Sequence, residues 1–268
     1  DLPTTGEMKA IEVFHNNSIK SLALDGDENL LAGTDNGLYV YQNDKEPLQH
    51  IIHDSRNIQS LTNNIIWNIF SDQEHNIWLG TDYGISLSRY NSALQFVPIS
   101  QITGTGDGNQ FYSLFRDSKG FYWFGGTNGV IRFTHPAGNK HDAIWYRMGD
   151  KNHPLSHNRI RHIYEDREQQ LWIATDGSIN RYDYNTHQFV HYNIVDSTGT
   201  YNTNWAYYLF EDTDGKLWIA TCLGGIFVVD KHKLIQSAGK SYVADQNYSI
   251  HNGLSGMFIN QIVPDAEG

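Results

Sequence analysis

Cysteine is nearly absent from this chain. Cys222 is the only one, which excludes an internal disulfide and a Cys-rich zinc site. Positive charge is scarce as well: 19 Lys and Arg stand against 30 Asp and Glu, a formal net charge of −11. Phosphate backbones and anionic lipid faces are bound through Lys and Arg, so nucleic acid and direct membrane docking are excluded as partners. No run of about 18 apolar residues occurs, hence no membrane-spanning helix. No leader is visible and the first residue is Asp1 rather than Met, so the chain reads as a mature or excised piece. What is abundant is aromatic: 7 Trp, 16 Tyr and 12 Phe, with 24 Gly against 6 Pro. That mixture favours many short strands joined by turns.

The aromatics are periodic. Five segments align with one another: Asp25–Leu38, Asp72–Ile85, Asp117–Val130, Asp166–Ile179 and Asp212–Ile226. A sixth begins at Asp265, and the leading Asp residues are 47, 45, 49, 46 and 53 apart. A period in the forties made of strand-like runs is the signature of β-propeller blades, each a four-stranded sheet. The fold class is therefore all-β, a β-propeller of five blades plus the start of a sixth, with residues 1–268 as a single partial domain.

Each unit divides into strands. The six residues before the Asp form strand one (IKSLAL, IWNIFS, FYSLFR, IRHIYE, AYYLFE). The Asp opens a tight turn in which its carboxylate accepts backbone N–H groups. Gly120 and Gly215 hold the fourth turn position, whereas Glu28, His75 and Gln169 hold it elsewhere, so turns of different type are expected. Strand two follows (LLAGT, IWLGT, YWFGG, LWIAT, LWIAT), then a T-D-x-G-like loop and strand three; LQHII, LQFVPI, AIWYRM and QFVHYN supply outer strands. Trp78, Trp123, Trp172 and Trp218 share one position in strand two, with Leu31 in the first unit. They read as wedges between sheets. The small residues two further on (Gly33, Gly80, Gly125, Ala174, Ala220) let sheets approach closely.

A side chain repeated in every blade serves the blade; one that varies at the loop end of the inner strand is free to serve a ligand. Asn17, Asn64, Asn109, Asn158 and Asn204 recur eight residues before the Asp. They read as turn residues that adopt left-handed backbone and bond their own main chain. The positions that vary around the same mouth supply the candidate ligand-binding residues: Trp67, Tyr112, Arg161 and Tyr207 five before the Asp; Gln110, Arg159 and Trp205 seven before it; Asp82 and Tyr83 from the loop between strands two and three. Aromatic faces beside planar hydrogen-bonding groups suit sugars and other polyols.

Catalytic and metal signatures are missing. There are 13 His but no H-E-x-x-H and no G-x-S-x-G. His50 with His53, and His187 with His191, read as solvated. Gly104-Thr-Gly106-Asp-Gly108 enters a strand rather than opening a helix, so it reads as a loop and not a phosphate cradle. Asp25-Gly-Asp27-Glu28-Asn29 coincides with the repeat turn and lacks the closing bidentate Glu of a calcium loop. No catalytic residue, metal site or cofactor is assigned.

The run I-x-x-I-x-x-D-x-x-G-x-L-W-I-G/A-T-x-x-G-L/I-x-R-Y/F, clearest at 111–133, 160–182 and 205–228, resembles the two-component regulator propeller repeat. That resemblance covers residues 11 to 268. It implies the periplasmic sensor region of a hybrid two-component system of glycan-degrading gut bacteria, in which two seven-bladed propellers precede a β-sandwich, a membrane helix, a histidine kinase and a response regulator. It further implies an oligosaccharide or other small-molecule ligand, a homodimeric parent, and contact with a membrane only through parts outside this chain. At about 48 residues a blade, 268 residues make five and a half blades, so a piece of a seven-bladed ring, forming an open arc, is expected. Two other functions fit the repeats: a propeller lyase or hydrolase, with His157 or His162 as the base, and a protein-interaction scaffold.

Overall fold

The computed structural model describes residues 17–42, 47–90, 96–103, 109–134, 142–151, 154–237 and 240–264. Gly104–Gly108 and the sixth Asp, Asp265, lie outside the described residues. Five four-stranded antiparallel sheets follow one another along the chain. Blade 1 comprises Ile19–Leu24, Leu30–Thr34, Gly37–Tyr41 and Gln49–Ile51. Blade 2 comprises Ile66–Ser71, Ile77–Thr81, Ile85–Ser88 and Phe96–Pro98; blade 3 comprises Phe111–Arg116, Tyr122–Gly126, Gly129–Phe133 and Ile144–Tyr146. Blade 4 comprises Ile160–Glu165, Leu171–Thr175, Ser178–Asp183 and Gln188–Tyr192. Blade 5 departs at its outer edge. Ile226–Asp230 runs into a short helix, Lys231–Gln236, and the outer strand Gln246–Tyr248 follows only after Tyr242–Val243, which pairs in parallel with Ile194–Val195. The Asp230 carboxylate caps the helix by accepting from the His232 and Lys233 N–H groups, so the third strand ends and a helix starts at Lys231. No helix among the described residues is long and apolar enough to cross a membrane.

The leading Asp explains why each blade needs both its turn and its Trp. One oxygen of Asp72 accepts from the N–H groups of Glu74 and Asn76, at 3.1 and 2.8 Å, and the other from Trp78 Nε1 at 2.9 Å. Asp117–Trp123, Asp166–Trp172 and Asp212–Trp218 repeat the indole bond at 2.7–2.9 Å. A buried indole N–H must find an acceptor, and the carboxylate supplies one while it fastens the hairpin. In blade 1 Leu31 has no N–H to offer, and Asn29 Nδ2 takes that oxygen at 2.9 Å. The five hairpins are of one kind, contrary to the expectation of mixed turns: Glu28, His75 and Gln169 have φ of 60–63°, beside 86° and 77° at Gly120 and Gly215. The Asp bonds on either side fix the loop, so a non-Gly residue is forced into the left-handed region.

The core lies between blades. Trp78 packs in one buried cluster with Phe111, Leu114 and Tyr122 of blade 3. Trp123 meets Ile160, Ile163 and Leu171 of blade 4, and Trp172 meets Ala206, Leu209 and Leu217 of blade 5. Each wedge removes roughly 150–250 Å² from water, about 4–6 kcal/mol at 25 cal/mol per Å². Close approach demands the small residue two positions on: a Cβ on Gly125 would come within 2.3 Å of Ile160 Cγ2. Ala174 faces a blade whose matching residue is the smaller Ala206, and both are fully buried in the same cluster. Polar links cross the same seams. The free lone pairs of three leading Asp residues take a donor from the next blade: Tyr122 Oη on Asp72 at 3.1 Å, Tyr184 Oη on Asp117 at 2.8 Å, Lys231 Nζ on Asp166 at 3.3 Å. Burial works against the Lys231 ammonium. Glu211, at 2.6 Å, together with Asp166 and Glu168 outweighs it and holds the pKa above its ordinary value.

The recurrent Asn residues are structural, but not in the way expected. None has positive φ, and they bond neighbours rather than their own main chain. Asn64 Oδ1 accepts from the His53 N–H and Asn158 Oδ1 from the Met148 N–H, at 2.6 and 2.7 Å, and Thr127 Oγ1 donates to Asn109. Their carbonyls accept from Gly37, Gly84 and Gly129 at 2.6–2.8 Å. Through these carbonyls Asn64, Asn109 and Asn158 each clamp the blade before them.

Candidate functional site

The first strand of every blade carries the same irregularity. Ile19 pairs with Thr34 and Ser21 with Gly33, so Lys20 has no partner. Trp67, Tyr112, Arg161 and Tyr207 are skipped in the same way in blades 2 to 5. A β-bulge leaves its extra residue unpaired and re-aims the side chain. Five bulges at one register send five side chains to one place: Lys20, Trp67, Tyr112, Arg161 and Tyr207 all line a cavity of about 880 Å³, joined by Asn260 from the segment after blade 5.

The wall of this cavity is wired. Trp67 Nε1 donates to Asp82 Oδ1 at 3.0 Å, Gln110 Nε2 donates to the same oxygen at 2.6 Å, and the Tyr112 hydroxyl donates to Gln110 Oε1 at 2.5 Å. Burial raises the Tyr112 pKa, opposed in part by Arg159 and Arg161, so the hydroxyl stays a donor. Arg161 grips Asp176 through Nε and Nη2, at 2.7 and 3.3 Å, and lies 4.3 Å from the centre of the Tyr207 ring. Arg159 Nη1 lies 3.8 Å from the Asp176 oxygen that Arg161 Nη2 bonds. Lys20 Nζ sits 4.6 Å over the Trp67 ring. A cation on an aromatic face gains roughly 0.5–2 kcal/mol, and two such pairs alternate around the mouth. The arrangement offers π-faces, guanidinium and ammonium donors, and a carboxamide to one polar ligand.

Of the nine residues singled out from sequence, Trp67, Tyr112, Arg161 and Tyr207 reach the cavity. Asp82, Gln110 and Arg159 do not line it; they stand behind and fix the lining side chains. Tyr83 is exposed beside the mouth, and Trp205 lines a separate cavity at the rim. Lys20, Asn68, His162 and Tyr208 also line the channel. Asn260 and Phe258, whose ring meets Tyr207 edge-on at 5.2 Å, were legible by counting five and seven residues back from Asp265.

The candidate bases His157 and His162 are spent on main-chain hydrogen bonds. His162 Nδ1 accepts from the Leu209 N–H at 3.2 Å, and its ring stacks on Tyr208 with centroids 4.0 Å apart. Burial pushes its pKa down to about 4. Ser21 and Ser113, at the same repeat position, accept from the Ile69 and Ile163 N–H groups at 3.0 Å, so this imidazole holds a blade seam. His157 Nδ1 accepts from the Arg159 N–H at 3.0 Å. His50 Nε2 meets the Asn36 carbonyl at 2.7 Å and His191 Nε2 the Gly177 carbonyl at 2.9 Å. Both oxygens of Asp25 are taken by Asp27 and Asn29. No group of three or more His, Cys, Asp or Glu among the described residues is placed to hold a metal ion.

Comparison with known proteins agrees with this architecture. The two component regulator propeller family matches at residues 60–83, 105–128, 154–177 and 200–222, each time the entering loop with strands one and two. Two crystal structures of the extracellular domain of BT4673 from B. thetaiotaomicron share 84% identity over 99% of this chain, with a TM-score of 0.63. One attributes it to a hybrid two component system and the other to a one component system. This chain spans 36% of that domain's length. The extracellular domain of BT3049 from the same organism is 19% identical over 97% of this chain and 39% of its own, with a TM-score of 0.62. Virginiamycin B lyase from Staphylococcus aureus, 12% identical over 80% of this chain and 67% of its own at a TM-score of 0.57, shares the fold. No curated protein matches the chain.

Proposed function

Because this chain is built of two component regulator propeller repeats, we propose that its central channel is the ligand site of an extracellular sensor and that the ligand is an oligosaccharide. The chain is an extracellular sensor propeller piece, periplasmic in the cell that carries it. The observation that carries the ligand reading is the row of bulges: five blades spend an unpaired residue on one cavity, and those residues range over Lys, Trp, Tyr and Arg while four of the five wedges are Trp. Aromatic faces backed by Asp82 and Gln110, with Arg161 and Lys20 between them, suit a ring that has an apolar face and an equatorial rim of hydroxyls. The ligand binds two arrangements of a dimeric parent unequally, and that difference moves the equilibrium passed to a kinase outside this chain.

Calorimetry against neutral and acidic oligosaccharides tests this. Heat with one glycan class, weakened about tenfold or more in Trp67→Ala while the denaturation midpoint stays in place, is the expected outcome. Binding only to proteins would reject the sugar reading and leave a scaffold. Turnover of a small molecule lost in His162→Ala would make the channel an enzyme's.

A further inference from the structure

The seam between blades 4 and 5 is wired differently from the others. At blades 1, 2 and 3 a Gly N–H (Gly37, Gly84, Gly129) bonds the carbonyl of the Asn that enters the next blade. Blade 4 has Ser178 in that place, and its hydroxyl bonds Thr203 Oγ1 at 2.5 Å. The crossing bond moves one residue along, from the Trp205 N–H to the Asp176 carbonyl at 3.0 Å. Trp205 is thereby held at φ 56°, whereas Gln110 and Arg159, its counterparts, have no positive φ. A left-handed Trp is strained, and strain of this kind gathers at functional sites. The rewiring also releases Asn204. Asn64 and Asn158 spend the side-chain oxygen on the segment leaving the preceding blade, and Asn109 spends it on Thr127 of its own blade; the Asn204 carboxamide makes no hydrogen bond among the described residues.

Both residues open onto one cavity of about 410 Å³ at the rim, with Asn202, Tyr201 and Leu223. Trp205 is 47% exposed and Leu223 64%. No charged side chain lines it. We propose that this rim cavity is a second saccharide subsite, selective for a neutral pyranose. Trp205 is the platform for the apolar ring face, and the Asn204 carboxamide pairs with neighbouring hydroxyls. The channel, with its cations, takes a different sugar unit. The ligand class rests on the oligosaccharide reading above; the location does not.

Indole resonances of the ¹⁵N-labelled chain separate the two. The probes are neutral hexasaccharides of β-linked glucose, galactose, mannose and xylose, added singly. The expected result is that one of them moves the Trp205 indole signal, with affinity falling about tenfold in Asn204→Ala (~1.4 kcal/mol) and in Trp205→Ala. Both rim residues are exposed, and an unchanged denaturation midpoint verifies that the variants fold. Movement of the Trp67 signal alone would overturn the rim subsite and leave the channel reading intact. Movement of neither signal with any probe overturns the rim subsite too. A Trp205 response equal in Asn204→Ala and wild type would show nonspecific stacking and also reject it.

Discussion

Blade 1 and blade 4 carry the same residues to opposite fates. Ile160, Ile163 and Leu171 of blade 4 are buried under Trp123. Their equivalents Ile19, Leu22 and Leu30 in blade 1 are 45%, 58% and 40% exposed. Strand, register and side-chain type match; the neighbour does not. Burial in a propeller therefore belongs to the seam between blades, and stability is nearest-neighbour in character. The described residues leave that face of blade 1 exposed.

The largest break in the comparison comes from truncating equivalent leucines. Leu171→Ala is expected to cost about 2–5 kcal/mol of unfolding free energy, and Leu30→Ala under about 1 kcal/mol, because Leu30 already meets water; urea denaturation of both variants measures the gap. Equal losses would mean that the seam is not the unit of stability. Next in size is the Asp–Trp link. Trp123→Phe leaves an oxygen of Asp117 with Tyr184 as its remaining donor, and the expected loss is about 1–3 kcal/mol. Leu31→Phe in blade 1, where no such bond exists, lacks that polar penalty.

A smaller, opposite effect is expected at the turns. Gln169→Gly removes a left-handed non-Gly residue and should raise stability by up to about 1 kcal/mol, whereas Gly120→Ala should lower it by a similar amount; thermal melts check both signs. A pH-dependent effect sharpens the seam between blades 4 and 5. The His162 pKa is lowered from 6.5 to about 4 by burial, so between those values the unfolded chain binds more protons than the folded one. The His162 contribution to stability is complete above pH 6.5 and is lost as pH falls towards 4. His162→Gln, which keeps an acceptor for the Leu209 N–H, should flatten that part of the pH–stability curve.

Much of the fold was legible because repetition within one chain stands in for comparison among many. Strand one was placed to the residue in all five blades, since six residues of fixed pattern precede each Asp. The helix at Lys231–Gln236 was not legible. VVDKHKL carries a capping Asp, but its single occurrence gave no second copy to weigh it against. The left-handed turn at Glu28, His75 and Gln169 was misread from residue type, because the Asp bonds that impose it override propensity. At the site, Trp67, Tyr112, Arg161 and Tyr207 emerged as variable positions in a constant frame. The support role of Asp82 and Gln110 did not, since it joins a loop of blade 2 to the entry of blade 3.

The sequence by itself determined the period and the limits of strand one in each blade, both of them local matters of spacing and turn chemistry. Only the tertiary structure decided which side chains face the channel. Direction along a strand depends on pairing with its neighbour, and one skipped pair in each blade turns a residue from the sheet towards the axis. The same holds for Trp205 and Asn204: their freedom comes from a hydrogen bond that one seam makes one residue later than the others.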